Sequence, residues 1–144
     1  MTRDDFFPIL REALLREESR RPELSDLTRI SIASLRDLRL YKDEWYDVQP
    51  LYRLRILCGL IGIDVEQAFN APKYEPWFET KLHEAVQSNL QGLIDTLYME
   101  GEFWRCFNNN IQLLNLYPMR LSDDIATYLG LDLGIVITLL GLKG

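Results

Sequence analysis

Basic side chains are concentrated in one part of the chain, between residues 16 and 42. This stretch holds 7 Lys or Arg residues against 5 Asp or Glu residues, whereas the whole chain has a net charge of −6. Guanidinium and ammonium groups bind phosphate, and the planar arginine fork also fits the acceptor edge of guanine. Such contacts require a rigid element that holds these side chains at the protein surface.

Residues 24–35, LSDLTRISIASL, predict such an element. The apolar spacing fits two short amphipathic helices joined by a tight turn at residues 29–31, with Ser31 as the N-cap of the second helix. The side chains expected to point inward are Leu24, Leu27, Ile30, Leu35 and Leu38. This is the layout of a helix-turn-helix, whose second helix is able to lie in the major groove of DNA.

Helical periodicity continues along the rest of the chain, and no segment is a convincing strand. Helices are expected over residues 4–19, 22–29, 31–41, 50–61, 65–69, 77–99, 102–116, 121–129 and 133–142. The last segment is ambiguous, because its β-branched residues at 135–138 favour a strand locally, whereas its short length and helical neighbours favour a helix. Gly62 and Asp64 are expected to end and begin helices. The sequence therefore predicts an all-α protein.

The segment NAPKYEP at residues 70–76 is the expected linker, because two prolines flank polar residues. It divides the chain into an N-terminal domain, residues 1–70, and an α-helical dimerisation or interaction module, residues 74–144. The second half contains a group of aromatic residues: Tyr74, Trp77, Phe78, Tyr98, Phe103, Trp104, Phe107 and Tyr117. We expect these side chains to lie in the core, and any that are exposed to anchor a dimer interface.

Two separated blocks of the first half are LSDLTRISIASL at 24–35 and LYRLRILCGLIGIDVEQAF at 51–69. In order and spacing they resemble helices two to five of the lambda repressor-like (Cro/CI-type) helix-turn-helix family. The resemblance covers about residues 4–70, half of the chain. It implies a five-helix DNA-binding unit whose third helix enters the major groove.

The resemblance also implies which residues face DNA. The third helix would begin at Ser31 and present Ile32, Ala33, Arg36 and Asp37 to base edges, with Ser34 and Arg39 near the DNA backbone. Arg20, Arg21 and Lys42 would contact phosphates. Among the base-facing residues, Arg36 offers the bidentate fork for guanine. Arg29 stands where the family usually has Gly, at a position that often needs a positive φ.

These expectations give two functions of different classes. The first is a DNA-binding transcriptional regulator that acts as a homodimer through residues 77–142. The alternative is a non-DNA-binding adaptor that uses a degenerate helix-turn-helix fold, including the case of an acidic antagonist of a DNA-binding partner. The net charge of −6 and the acidic segment 42–49 favour the alternative, because DNA-binding surfaces are usually basic.

Catalysis, metal binding and cofactor binding find no support in the sequence. It shows no nucleophile–histidine arrangement, no glycine-rich phosphate loop and no paired carboxylates in an apolar context, so we expect no enzyme activity and no cofactor. His83, the only histidine, is expected to be exposed on a helix, and Cys58 and Cys106 to be buried reduced thiols. The apolar runs are too short for a membrane span and the N-terminus lacks a signal-peptide pattern, which indicates a cytoplasmic protein.

Overall fold

The computed structural model describes residues 3–40, 49–97, 99 and 101–141, and the side chains of these residues except 3–5, 37–40 and 109. The described helices are α1 (Arg3–Arg16), α2 (Arg21–Thr28), α3 (Ile32–Leu40), α4 (Leu51–Leu60), α5 (Val65–Ala68), α6 (Pro76–Ser88), α7 (Leu90–Leu97), α8 (Gly101–Asn109), α9 (Met119–Leu129) and α10 (Leu133–Leu140). Two 3₁₀ segments, Glu18–Arg20 and Ile111–Leu116, connect α1 to α2 and α8 to α9. Over the described ranges there is no strand beyond an isolated antiparallel bridge between Pro50 and Pro118, so the all-α prediction is confirmed.

The predicted helix ends in the first half are set by local hydrogen bonds and backbone geometry. Ser31 caps α3, because its Oγ accepts from the Ser34 backbone N–H at 3.1 Å. Asp64 caps α5, with its carboxylate accepting from the Gln67 backbone N–H at 3.3 Å. Gly62 follows α4 with a φ of 83°, a conformation that glycine adopts without a Cβ clash. The three predicted boundary residues are therefore confirmed.

The helix predicted over residues 77–99 is broken in the structure. It ends at Ser88 and a new helix begins at Leu90. At the break, the Asn89 side-chain Nδ2 donates to the Ala85 carbonyl at 2.8 Å. That carbonyl is the acceptor that the Asn89 backbone N–H would use in a continuous helix, so the side chain competes with the helical hydrogen bond.

A second asparagine divides the helix predicted over residues 102–116. Asn110 stands between α8 and the following 3₁₀ segment, and its Oδ1 accepts from the Gln112 backbone N–H at 3.1 Å. Asparagine side chains form such local hydrogen bonds readily. The apolar periodicity carries no information about these bonds, so it predicted a continuous helix.

A single hydrophobic cluster contains residues of both halves of the chain. Its members with an exposed fraction of 0–1% include Phe6, Leu10, Leu54, Leu57, Trp104, Val136 and Ile137. α10 packs on α5, on α9 and on the 3₁₀ segment before α9. The segment is therefore a helix that is largely buried, and the alternative of a strand there is wrong.

Hydrogen bonds also connect segments that are distant along the chain. The Leu51 N–H donates to the Tyr117 carbonyl at 2.9 Å, and the Thr138 hydroxyl donates to the Pro72 carbonyl at 2.6 Å. The predicted linker thus lies against α10. The division into domains 1–70 and 74–144 stays a prediction.

The aromatic residues of the second half divide between core and surface. Phe78, Trp104 and Phe107 are buried, Phe103 and Tyr117 are half-buried, Tyr74 and Trp77 are exposed, and Tyr98 lies outside the described residues.

The two cysteines differ in burial. Cys58 is buried as expected, whereas Cys106 is exposed and its predicted burial is wrong. Cys106 points away from the apolar face of α8, which Trp104 and Phe107 form at a spacing of three residues.

Candidate nucleic-acid interface

The turn between α2 and α3 is fixed by short-range hydrogen bonds. Arg29 follows α2 in the left-handed conformation with a φ of 65°, and its N–H donates to the Ser25 carbonyl at 2.9 Å. The Thr28 hydroxyl donates to the Leu24 carbonyl at 2.7 Å and accepts from the Ile30 N–H at 3.2 Å. The Ile30 side chain is 1% exposed and fills the corner. The positive φ expected at residue 29 is confirmed.

Leu27 lies at the surface, so its predicted inward position is wrong. It is 52% exposed, whereas Thr28 is 2% exposed and takes the place beside Leu24. Residues three and four positions after Leu24 both lie near its helix face, and the apolar side chain was the expected choice. Thr28 is buried instead, because both of its hydroxyl hydrogen bonds are made within the turn.

The first turn of α3 is exposed. The helix packs on α1 and α2, and Leu35 is buried beneath it. Five of the predicted DNA contacts are brought together at this end of the helix: Ser31, Ile32 and Ala33 are exposed, Ser34 is half-buried, and Arg36 is exposed one turn further along. The element that the basic stretch required is therefore present at the surface.

The start of α3 is electrostatically suited to a negatively charged group. Backbone N–H groups in the first turn of a helix have no acceptor within the helix, and the helix dipole adds partial positive charge there. Arg29 lies two residues before Ser31 and is exposed. Helix N-termini of this kind bind phosphate in many proteins.

Arg20 and Arg21, two of the predicted phosphate contacts, are bound to neighbouring carboxylates. Arg20 donates to Glu23 and to Glu17, each at 3.2 Å, and these bonds raise the pKa of its guanidinium above the usual value. Arg21 donates to Glu18 at 2.9 Å. The positive charge of both residues is therefore compensated locally.

Three further predicted contacts cannot be placed beside these. Asp37 and Arg39 belong to α3, but their side chains are outside the described ones, and Lys42 lies outside the described residues. Sequence reasoning missed Arg29 and Leu27 as members of the exposed surface. For Arg29 a signal was present, because arginine between two helices is rarely buried.

Within the described part of the chain, no three His, Cys, Asp or Glu side chains lie close enough together to hold a metal ion. None of the described helices has the length and apolar character needed to cross a membrane. Comparison of the chain with protein-family models, with curated proteins and with solved structures finds no match.

Proposed function

We propose that the protein binds double-stranded DNA through the first turn of α3 and regulates transcription as a homodimer. The supporting observation is the exposure of Ser31, Ile32 and Ala33 at the capped start of this helix. In a helix-turn-helix of the lambda repressor-like kind, these positions reach base edges in the major groove. Ile32 and Ala33 are apolar partners for a thymine methyl group, and Arg36 is the bidentate donor for guanine.

The proposed dimer forms through the second half of the chain. Because α10 is covered by the chain itself, we assign the dimer contact to exposed apolar side chains. Trp77 and Leu116 are examples, and they are 47% and 62% exposed. Two copies would place their α3 helices about 34 Å apart, the separation of successive major grooves on one face of DNA. Sedimentation equilibrium is expected to show a dimer that Trp77→Ser weakens and Ile9→Ser, on α1, does not.

The experiment for DNA binding is fluorescence anisotropy with a labelled random-sequence duplex over a series of salt concentrations. We expect binding at low salt and a steep loss of affinity as salt rises, because phosphate contacts release counterions. Ser31→Asp keeps an acceptor for the cap but places a negative charge against the duplex. This variant is expected to weaken binding at least about tenfold, the equivalent of about 1.4 kcal/mol.

The matched control for this experiment is a charge change elsewhere. Arg120→Gln replaces a surface arginine of α9, which packs on α7 and α10. It is expected to leave the affinity for the duplex within a factor of about two, since single surface charges remote from the contact act weakly. Absence of binding at the lowest salt, or equal affinity of the wild type and Ser31→Asp, contradicts the proposal.

A second function, that of a protein-binding adaptor, is favoured by two other observations on the same surface. Leu27 and Ile32 are 52% and 49% exposed on either side of the turn. Arg20 and Arg21 are paired with carboxylates. Exposed apolar side chains beside compensated charges suit a protein partner better than phosphate. An adaptor gives no anisotropy change with the duplex at any salt concentration, so the same titration separates the two functions.

A further inference from the structure

A groove between α6 and α8 is lined by side chains that face each other from the two helices. Its outer part, with a volume of about 460 Å³, is bordered by Glu84, and its inner part, of about 250 Å³, by Leu90, Trp104 and Arg105. Gln87 and Asn108 line both parts, so the groove is continuous. The inner part is smaller than the range of about 300–1,000 Å³ that is usual for drug-sized ligands, so it suits a small molecule.

Trp104, which lines the inner part of the groove, has a buried donor without an acceptor in the described part of the chain. Trp104 is 1% exposed, and its Nε1–H has no hydrogen-bond partner among the described residues. Buried indole N–H groups usually donate to an acceptor, because an unpaired one loses its interaction with water and gains nothing in return. The Trp104 ring lines the inner part of the groove, so its indole N–H resonance reports on what occupies that cavity.

A hydrogen bond between His83 and Asn108 fixes the donor character of the groove. His83 is half-buried rather than exposed as predicted, and its Nδ1 lies 2.8 Å from the Asn108 Oδ1. A carboxamide oxygen only accepts hydrogen bonds, so the His83 Nδ1 carries the hydrogen. The Asn108 Oδ1 thus accepts a hydrogen bond from His83, and the donors that Asn108 offers to the groove are the two N–H groups of its Nδ2.

Arg105 supplies a positive charge to the inner part. Its ion-pair partner Glu102 lies 3.6 Å away, and the two side chains are 73% and 74% exposed. Exposed pairs of this kind are weak, so a bidentate carboxylate competes with Glu102 for the guanidinium. Glu84, the one carboxylate among the described lining residues, borders the outer part only.

We infer that this groove binds a small planar organic acid. The carboxylate accepts hydrogen bonds from Arg105 and Asn108, and the planar apolar part of the ligand lies against Leu90 and the Trp104 ring. All four residues line the same inner cavity. The site lies apart from α3, so it does not depend on the proposed DNA binding.

The experiment is a titration with sodium benzoate, followed through the indole N–H resonances in two-dimensional ¹H–¹⁵N NMR spectra. Trp104→Phe identifies the Trp104 resonance by its loss. Benzoate is expected to shift this resonance in a saturable manner. Benzamide, the neutral analogue of benzoate, is expected to leave the resonance unmoved, and so is sodium chloride at equal ionic strength.

Two matched variants show whether the bound group is held as an anion. Arg105→Gln is expected to weaken benzoate binding at least tenfold. Arg16→Gln removes a comparably exposed arginine, which is paired with Glu12 at 3.7 Å on α1. This variant is expected to bind benzoate with unchanged affinity. The inference is overturned if benzoate leaves the Trp104 resonance unmoved, if benzamide shifts it equally, or if the two variants bind benzoate alike.

Discussion

The guanidinium of Arg55 donates to the backbone carbonyl of Ile137, with Nη2 and the oxygen 3.0 Å apart. These residues are 82 positions apart in the chain and belong to α4 and α10. The Nη1 of the same guanidinium binds the carboxylate of Glu66 on α5. One side chain therefore connects three helices, one of which lies beyond the predicted linker.

Replacing Arg55 by methionine should destabilise the fold while keeping most of the apolar stem. We expect the free energy of unfolding to fall by about 1.5–3 kcal/mol, the range for a hydrogen bond to a charged group. Urea denaturation followed by circular dichroism measures it. Arg53→Met is the matched control, because in the described part of the chain the Arg53 guanidinium contacts the exposed ring and hydroxyl of its neighbour Tyr52 and bridges no two helices. Equal losses in the two variants would show that the link to α10 adds no stability.

Replacing Arg29 by glycine should stabilise the protein. A side chain at a φ of 65° carries a steric cost of roughly 1 kcal/mol that glycine does not have. We expect the free energy of unfolding to rise by about 0.5–1 kcal/mol in urea denaturation, reduced somewhat by the greater entropy of unfolded glycine. Arg36→Gly, in the interior of α3, is expected to lower stability by about 1 kcal/mol. A loss of stability in Arg29→Gly would mean that the arginine side chain itself supports the turn.

The cap of α3 is expected to contribute to stability independently of any ligand. Ser31→Ala removes the acceptor for the Ser34 N–H and should cost about 1 kcal/mol, whereas Ser31→Asp retains an acceptor and should unfold at nearly the wild-type urea concentration. Ser19→Ala, an exposed serine before α2, serves as the control. Destabilisation by Ser31→Asp as large as that by Ser31→Ala would argue against the cap, and would also remove this variant as a test of DNA binding.

Stability should fall at alkaline pH because of Cys58. Burial raises the pKa of its thiol from 9.0 to about 12, although the nearby Arg55 guanidinium opposes the shift. Between these values the unfolded chain releases the thiol proton and the folded chain keeps it, so each pH unit lowers the free energy of unfolding by at most about 1.4 kcal/mol. Below pH 9 this contribution to stability is fully present.

Two cysteine variants isolate the effect from the titration of tyrosine and lysine in the same pH range. Cys58→Ala is expected to flatten the loss of stability between pH 9 and 11, although it lowers stability at every pH by leaving a small cavity. Cys106→Ala, which changes an exposed thiol, is expected to leave the slope as it is in the wild type. Parallel slopes in the two variants would place the titrating group elsewhere.

The parts of the fold that the sequence predicted are those with local causes. Ser31, Asp64 and Gly62 mark helix ends through hydrogen bonds or backbone conformations that involve residues within a few positions. The break at Asn89 was missed, although its cause is also local. An asparagine in an apolar helical pattern either points to solvent or donates to the carbonyl four residues before it. The amino-acid sequence alone does not show which of these two conformations the side chain adopts.

The candidate sites show the same limit more strongly. Exposure of Ile32 and Ala33 follows from helical periodicity, so it was predictable. The pairing of Arg20 with Glu17 and Glu23 depends on which rotamers bring the charges together. The groove beside Trp104 depends on how two helices, separated by the break at Asn89 and a further helix, come to face each other, and no spacing in the sequence encodes it.

The central position of α10 has a consequence for synthesis of the chain. Val136 and Ile137 are fully buried, α10 packs on α5 as well as on the segments just before it, and the Ile137 carbonyl is the acceptor for Arg55. While the ribosome is still translating this segment, the apolar faces that α10 will cover remain open to water, chaperones and proteases. Completion of the core is thus delayed until residues 133–140 have emerged from the exit tunnel, and a stall before them leaves a nascent chain with its interior uncovered.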